Sequence, residues 1–187
     1  MKIENSFEVP APPERAWALL MDVPRVIPCM PGAELTATVD DSHWKAKLSV
    51  KLGPIALAFD TDVAREEADE EARTTKLSAN ARESRGRGSA RATIESTLAA
   101  VNGGTRVEVV TDLALTGPVA QYGRGVVHDV AAQLTRQFAE CLRAQLAAAP
   151  DEPAPPPPPT APVAGLRLGL GALFRAFGRL FRRKERQ

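Results

Sequence analysis

Few residues in this chain have the types and spacing that catalysis needs. There is no Gly-x-Ser-x-Gly elbow to raise a serine nucleophile, no HExxH pair for a zinc, and no glycine loop to cradle a phosphate; Arg85-Gly86-Arg87-Gly88 lies between strand-like runs and reads as a turn. The two histidines stand apart, His43 before a strand and His128 on a long helical pattern. Cys29 and Cys141, the only cysteines, are far apart in sequence, with no CxxC and no nearby histidine pair. That spacing argues against a zinc site and against a disulfide framework, and suits a reducing compartment. Acids crowd at Glu66, Glu67, Asp69, Glu70 and Glu71, the pattern of a solvated hairpin tip. No catalytic or metal-binding constellation emerges, so the function is to be sought in binding.

The C-terminus offers the sharpest binding signal. From residue 164 onward there are seven bases (Arg167, Arg175, Arg179, Arg182, Arg183, Lys184, Arg186) against Glu185, a net +6; the whole chain is +1, so the remainder carries −5. With Leu166 at zero and 100° per residue, Leu170, Leu173, Phe174, Phe177, Leu180 and Phe181 fall in a sector from about −40° to about +80°. Arg175, Arg179, Arg182, Arg183 and Arg186 fall between about 160° and about 260°. A Leu/Phe stripe opposite an arginine face describes a helix lying in the plane of an anionic membrane surface. Arg167, Arg175 and Arg179 interrupt every window of the ~20 apolar residues that a membrane span requires. Docking on its own domain, on a partner's groove or on nucleic acid would be the alternatives; the membrane is the expectation, with no nucleic-acid partner.

The second signal is a long helical pattern over residues 119–148, with an inward stripe of Val127, Val130, Ala131, Leu134, Phe138, Cys141 and Leu142. On the same projection Ala120, Gly123 and Val127 share the inward face, so its first turns are small where the later ones are bulky. Close helix–sheet packing would explain this equally well. A cavity beneath those turns is the functional alternative, roofed by residues 17–30 (Trp17, Leu20, Met21, Ile27, Met30) and lined by Phe59, Leu113, Leu115, Val119, Ala120, Tyr122, Gly123 and Val127. Gln121, Tyr122 and Arg124 could orient a polar headgroup at its mouth.

The elements that must position these residues follow from hydrophobic period. Residues 2–9 alternate cleanly, with Ile3, Phe7 and Val9 on one face. Pro10, Pro12 and Pro13 end that strand and open a short helix over 14–21; Asp22 caps a second, through Ile27. Strands are expected over 35–39, 44–51, 55–63, 73–81, 90–98 and 106–115, with turns at Gly53-Pro54, 66–71, 85–88 and Asn102-Gly103-Gly104. One strand, two short helices, six strands and a long helix make an α+β domain: an antiparallel sheet curved around the C-terminal helix. It spans residues 1–148. Residues 149–163 hold eight prolines and form a polyproline II spacer with a reach of roughly 45 Å, and residues 164–187 are the basic amphipathic helix. The N-terminus opens directly on a strand with no signal-peptide-like run, so a cytoplasmic protein is expected, peripheral on the inner membrane face.

Three stretches, Met1-Lys2-Ile3-Glu4-Asn5-Ser6-Phe7, Pro28-Cys29-Met30-Pro31-Gly32-Ala33 and Gly117-Pro118-Val119-Ala120-Gln121-Tyr122-Gly123-Arg124, resemble the family named for the G subunit of carbon monoxide dehydrogenase (CoxG-like), within the START-like (SRPBCC), helix-grip superfamily. The resemblance covers residues 1–148. It implies a seven-stranded sheet gripping a long helix around a deep hydrophobic cavity. It also implies a link with molybdenum hydroxylases of the carbon monoxide dehydrogenase type, their recruitment to membranes, and respiratory quinone. The expectation is a non-enzymatic carrier of a hydrophobic ligand, menaquinone above all, with no covalent cofactor and no metal. An adaptor without a functional ligand is the alternative. An enzyme of the aromatase/cyclase kind found among helix-grip relatives is the third, disfavoured by the few titratable residues near the expected cavity.

Overall fold

The computed structural model describes residues 1–52, 55–121 and 123–148. The first strand, β1 (Lys2–Val9), alternates between buried Ile3, Phe7 and Val9 and exposed Lys2, Glu4, Ser6 and Glu8, as its period-two sequence requires. Two helices follow, α1 (Pro13–Met21) and α2 (Val23–Val26), each with proline in its first turn, where a missing N–H costs nothing. Asp22 caps α2 by accepting the backbone N–H of Arg25, and the chain tightens into a 3-10 turn at Ile27–Cys29.

Six strands then run as an antiparallel meander: β2 (Ala33–Thr38), β3 (His43–Leu52), β4 (Ile55–Asp69), β5 (Thr74–Glu83), β6 (Ser89–Val101) and β7 (Gly104–Thr116). β1 pairs with β7, giving one seven-stranded sheet in the order β1-β7-β6-β5-β4-β3-β2. A second 3-10 turn (Gly117–Gln121) leads into the long helix, α3 (Arg124–Ala147). The expected element order and the curved sheet on a C-terminal helix are therefore the architecture observed.

Three expectations need correction. The run Glu66–Asp69, expected in a turn, continues β4 past a bulge between Arg65 and Glu67, because backbone pairing with β5 does not depend on those solvated carboxylates. The long helix does not start at residue 119. The stretch from 117 to 121 is a 3-10 turn, and Gly123 is the N-cap of α3 rather than an interior residue, so it lies on no inward helix face; a Cβ there would meet open space. Finally, Cys29 and Cys141 form a disulfide, with Cα atoms 5.3 Å apart although 112 residues separate them. The fold brings the 3-10 turn onto the third quarter of α3, which spacing along the chain does not reveal. With the bridge, the cysteines no longer argue for a reducing compartment.

The proline-rich stretch 149–163 and the basic stretch 164–187 lie outside the described residues. Among the described residues no helix is long and apolar enough to cross a membrane.

Candidate ligand-binding site

The concave face of the sheet is covered unevenly. At the end where β1 runs into α1, a core closes around Phe7, Trp17, Leu98, Val107, Ala139 and Leu142. Leu142 and Val107 are each 1% exposed, and Phe7 meets Phe138 edge to face at 6.1 Å. Polar contacts seal this end. The Arg15 guanidinium donates to the carbonyl of Leu146 at 3.1 Å, and buried Gln145 exchanges bonds with Arg25, accepting from its Nε and donating to its carbonyl. Arg65 reaches from β4 to the carbonyl of Met21 at the end of α1 while its guanidinium lies 5.5 Å from the centre of the Trp44 ring. The disulfide ties the turn at 27–29 to α3 in the same region.

Toward the start of α3 the same two surfaces face each other without closing. Helix residues Val127, Val130, Ala131 and Leu134 are only half-buried. Across from them Val63, Leu77, Ala79, Ala92, Ile94 and Leu113, on one face of four strands, are half-buried too. Apolar surfaces that face inward yet stay partly accessible border open interior space, since a filled core brings such residues near zero exposure. Alanines (Ala46, Ala79, Ala81, Ala92) keep the middle of this floor low, and Trp44, Leu77, Ile94 and Leu113 raise its edges. One polar atom in the floor stands out. Thr61 Oγ1, between Ala46 and Ala81 in the register, is buried with no hydrogen-bond partner. Leaving a hydroxyl so costs on the order of 1–3 kcal/mol.

The expected lining residues divide between the two regions. Trp17 is buried in the closed core, and Leu20 and Met21, half-buried, pack against it. Ile27 and Met30 are half-buried on the segment between α2 and β2. Phe59 packs in a second small cluster with Leu57 and Ala81, against which Leu115 rests, and Leu113 and Val127 border the open part. Val119 and Ala120 belong to the 3-10 turn, Gly123 caps α3, and Tyr122 lies outside the described residues, as does every expected membrane-contact residue from Leu170 to Arg183. The floor residues that sequence reasoning did not place in the lining are Thr61, Val63, Leu77, Ala79, Ala92 and Ile94. Alternation from Phe59 already put Thr61 and Val63 on the inner face; nothing marked the alanines.

Elsewhere, chemistry is sparse. Asp40, Ser42 and His43 gather at the exposed turn before β3, but Asp40 Oδ1 and Ser42 Oγ both contact Nδ1 of His43, at 2.9 and 3.0 Å. A nucleophilic triad needs the serine on the opposite ring nitrogen, Nε2. The arrangement is a turn closure: the backbone N–H of Ser42, then the His43 ring and the Ser42 hydroxyl, hold the Asp40 carboxyl down at about 2. A depression of about 590 Å³ across β4, β5 and β6 is polar and widely open, and its Lys76 pairs with Glu67. Among the described residues no group of His, Cys, Asp and Glu is placed to hold a metal.

A curved antiparallel sheet gripping a C-terminal helix over a partly open interior defines a START-like, helix-grip protein. Within that class, residues 6–147 match the model of the family described as the G subunit of carbon monoxide dehydrogenase (CoxG), and the chain belongs to that family. No curated protein matches its sequence. Among solved structures it is similar to a conserved protein from Geobacillus kaustophilus, at 21% identity and a TM-score of 0.71, over 79% of this chain and 95% of that one. It also resembles the Zhui aromatase/cyclase from Streptomyces sp. R1128, at 12% identity and a TM-score of 0.56, over 78% and 93% of the two chains. A protein of Thermus thermophilus is similar at 16% identity and a TM-score of 0.56, over 78% and 99%. At such identities these likenesses speak to the fold.

Proposed function

We propose that the chain is a non-enzymatic carrier that holds a hydrophobic ligand, of the menaquinone class, between the sheet and the first half of α3. It serves a molybdenum hydroxylase of the carbon monoxide dehydrogenase type. The observation that carries this is the pair of facing, half-buried apolar walls around the partnerless hydroxyl of Thr61. Mostly apolar space with one or two polar atoms suits a flat, carbonyl-bearing ring with an apolar tail. Family membership supplies the partner, since the CoxG family takes its name from that dehydrogenase. An isoprenoid quinone is almost insoluble and stays in the bilayer, while a dehydrogenase without a membrane part cannot reach it. A domain tethered through residues 149–163 to a helix (164–187) lying on anionic lipid would connect the two, on the membrane face where the enzyme works, the tether raising local concentration. The sparse titratable chemistry of the interior favours a carrier over an aromatase/cyclase.

Titration with detergent-solubilised menaquinone tests the carrier directly. Saturable binding is expected in the wild type and its loss in Ala92→Phe, which fills the floor, with thermal unfolding little changed. A wild type that does not bind at all refutes the carrier and leaves the adaptor. Deleting residues 164–187 should sharply reduce sedimentation with anionic liposomes; undiminished pelleting would remove the tail from that role.

A further inference from the structure

The two ends of the sheet differ in charge. The connections at the end where α3 begins (51–56, 82–88 and 117–125) carry Lys51, Arg82, Arg85, Arg87 and Arg124 against a single acid, Glu83. The connections at the other end (10–14, 39–42, 69–73 and 102–103) carry Glu14, Asp40, Asp41, Asp69, Glu70 and Glu71 against a single base, Arg73. Strand register puts each set on one edge: Lys51 faces Ala56, Arg82 faces Ser89, and Ser89 faces Thr116, at the turn that leads into α3. Glu83 is buried and taken up locally, accepting from the Arg87 guanidinium at 3.1 Å and from the backbone N–H groups of Arg85 and Arg87. The five bases are exposed. Asp60 and Asp129 lie nearby and reduce the excess without cancelling it. Val126, on the first turn of α3, is one of two exposed large apolar side chains among the described residues, at 45%.

We infer that this basic end is itself a membrane contact, so that the domain docks with the opening of its interior against an anionic bilayer. The inference rests on the carrier proposed above and adds a surface that the C-terminal helix does not supply. A quinone moving from bilayer to protein avoids water only if the opening touches the lipid. The end at α1 is shut by its buried core, the disulfide and Arg65, which leaves the α3 end for entry. Lipid phosphates attract the five bases, Val126 can enter the headgroup region, and the acidic far end is repelled; the molecule is thereby oriented within a Debye length of about 8–10 Å. An acidic patch on the partner enzyme is the rival occupant.

Amide exchange of the full-length protein on phosphatidylcholine vesicles containing phosphatidylglycerol decides the matter. Vesicles should protect residues 84–88 and 124–128 and leave 69–73 unchanged, and the Lys51→Glu/Arg85→Glu double variant should lose that protection. The variant should also take menaquinone from these vesicles roughly ten- to thirty-fold more slowly, while binding detergent-solubilised menaquinone as the wild type does. Protection at 69–73, protection at neither end, or transfer as fast as wild type would overturn the docking. So would protection of 84–88 by the partner enzyme and not by vesicles. If vesicles protect 84–88 but neither protein binds solubilised menaquinone, the docking surface stands and the carrier fails.

Discussion

The two halves of α3 carry the same kind of apolar stripe and meet opposite fates. Around Phe138, Cys141 and Leu142 the helix lies on β1, α1 and the 27–29 turn: Leu142 is enclosed, Cys141 is cross-linked, and Phe138, itself half-buried, packs against the closed core. Around Val127, Val130 and Leu134 the stripe faces a floor of alanines and stays half-buried. A stripe of this kind therefore reports which face points inward, not whether anything fills the space beneath it. What separates a core from a container here is the size of the residues opposite. Phe7, Trp17 and Leu98 fill one half, and Ala79 and Ala92 leave the other open.

Removing the cross-link is the largest single blow to the closed half. The bridge spans 112 residues, so its loss in Cys29→Ser/Cys141→Ser should lower unfolding stability by about 5 kcal/mol on the chain-entropy estimate. Denaturant melts with and without reductant measure it; superimposable curves would show that the bridge constrains nothing. Next come matched truncations. Leu142→Ala, fully enclosed, should cost about 2–5 kcal/mol, whereas Leu134→Ala should cost about 1 kcal/mol or less. Equal losses would mean that the open half is packed after all. Thr61→Val removes the partnerless hydroxyl and should raise stability by about 1 kcal/mol while weakening menaquinone roughly tenfold. A variant stabilised but binding as before would take Thr61 out of the site. Smallest is the turn at Asp40. Its folded pKa lies below the ordinary carboxylate value, so whatever it adds is present above about pH 4 and fades as pH falls through about 2. An NMR titration of this carboxyl should follow that course, and a midpoint near 4 would show that the turn does not hold it.

Much of this was legible because local signals and tertiary structure agree. Alternation in β1, proline at the starts of α1 and α2, and the Asn102-Gly103 turn each name their element without help from the rest of the chain. Other features had no local signature. Gly123 continues the inward projection of a helix, yet helix formation starts one residue later, and the projection cannot register a boundary. Glu66 and Glu67 look like turn residues by charge, but β4 carries them because backbone pairing outlasts the apolar pattern. The disulfide depends on the turn at 27–29 folding back onto α3, which no spacing encodes. The site was half legible: Phe59, Leu113 and Val127 drew notice, whereas Leu77, Ile94 and the alanines that make room did not.

The carried ligand is the claim on which the rest depends. Full-length protein purified without detergent from its native host, examined by native mass spectrometry and by organic extraction, should show a bound mass that the extract identifies as a long-chain quinone. Ala92→Phe prepared in parallel should carry none. A wild type that emerges empty and stays empty after incubation with menaquinone-loaded vesicles would contradict the carrier.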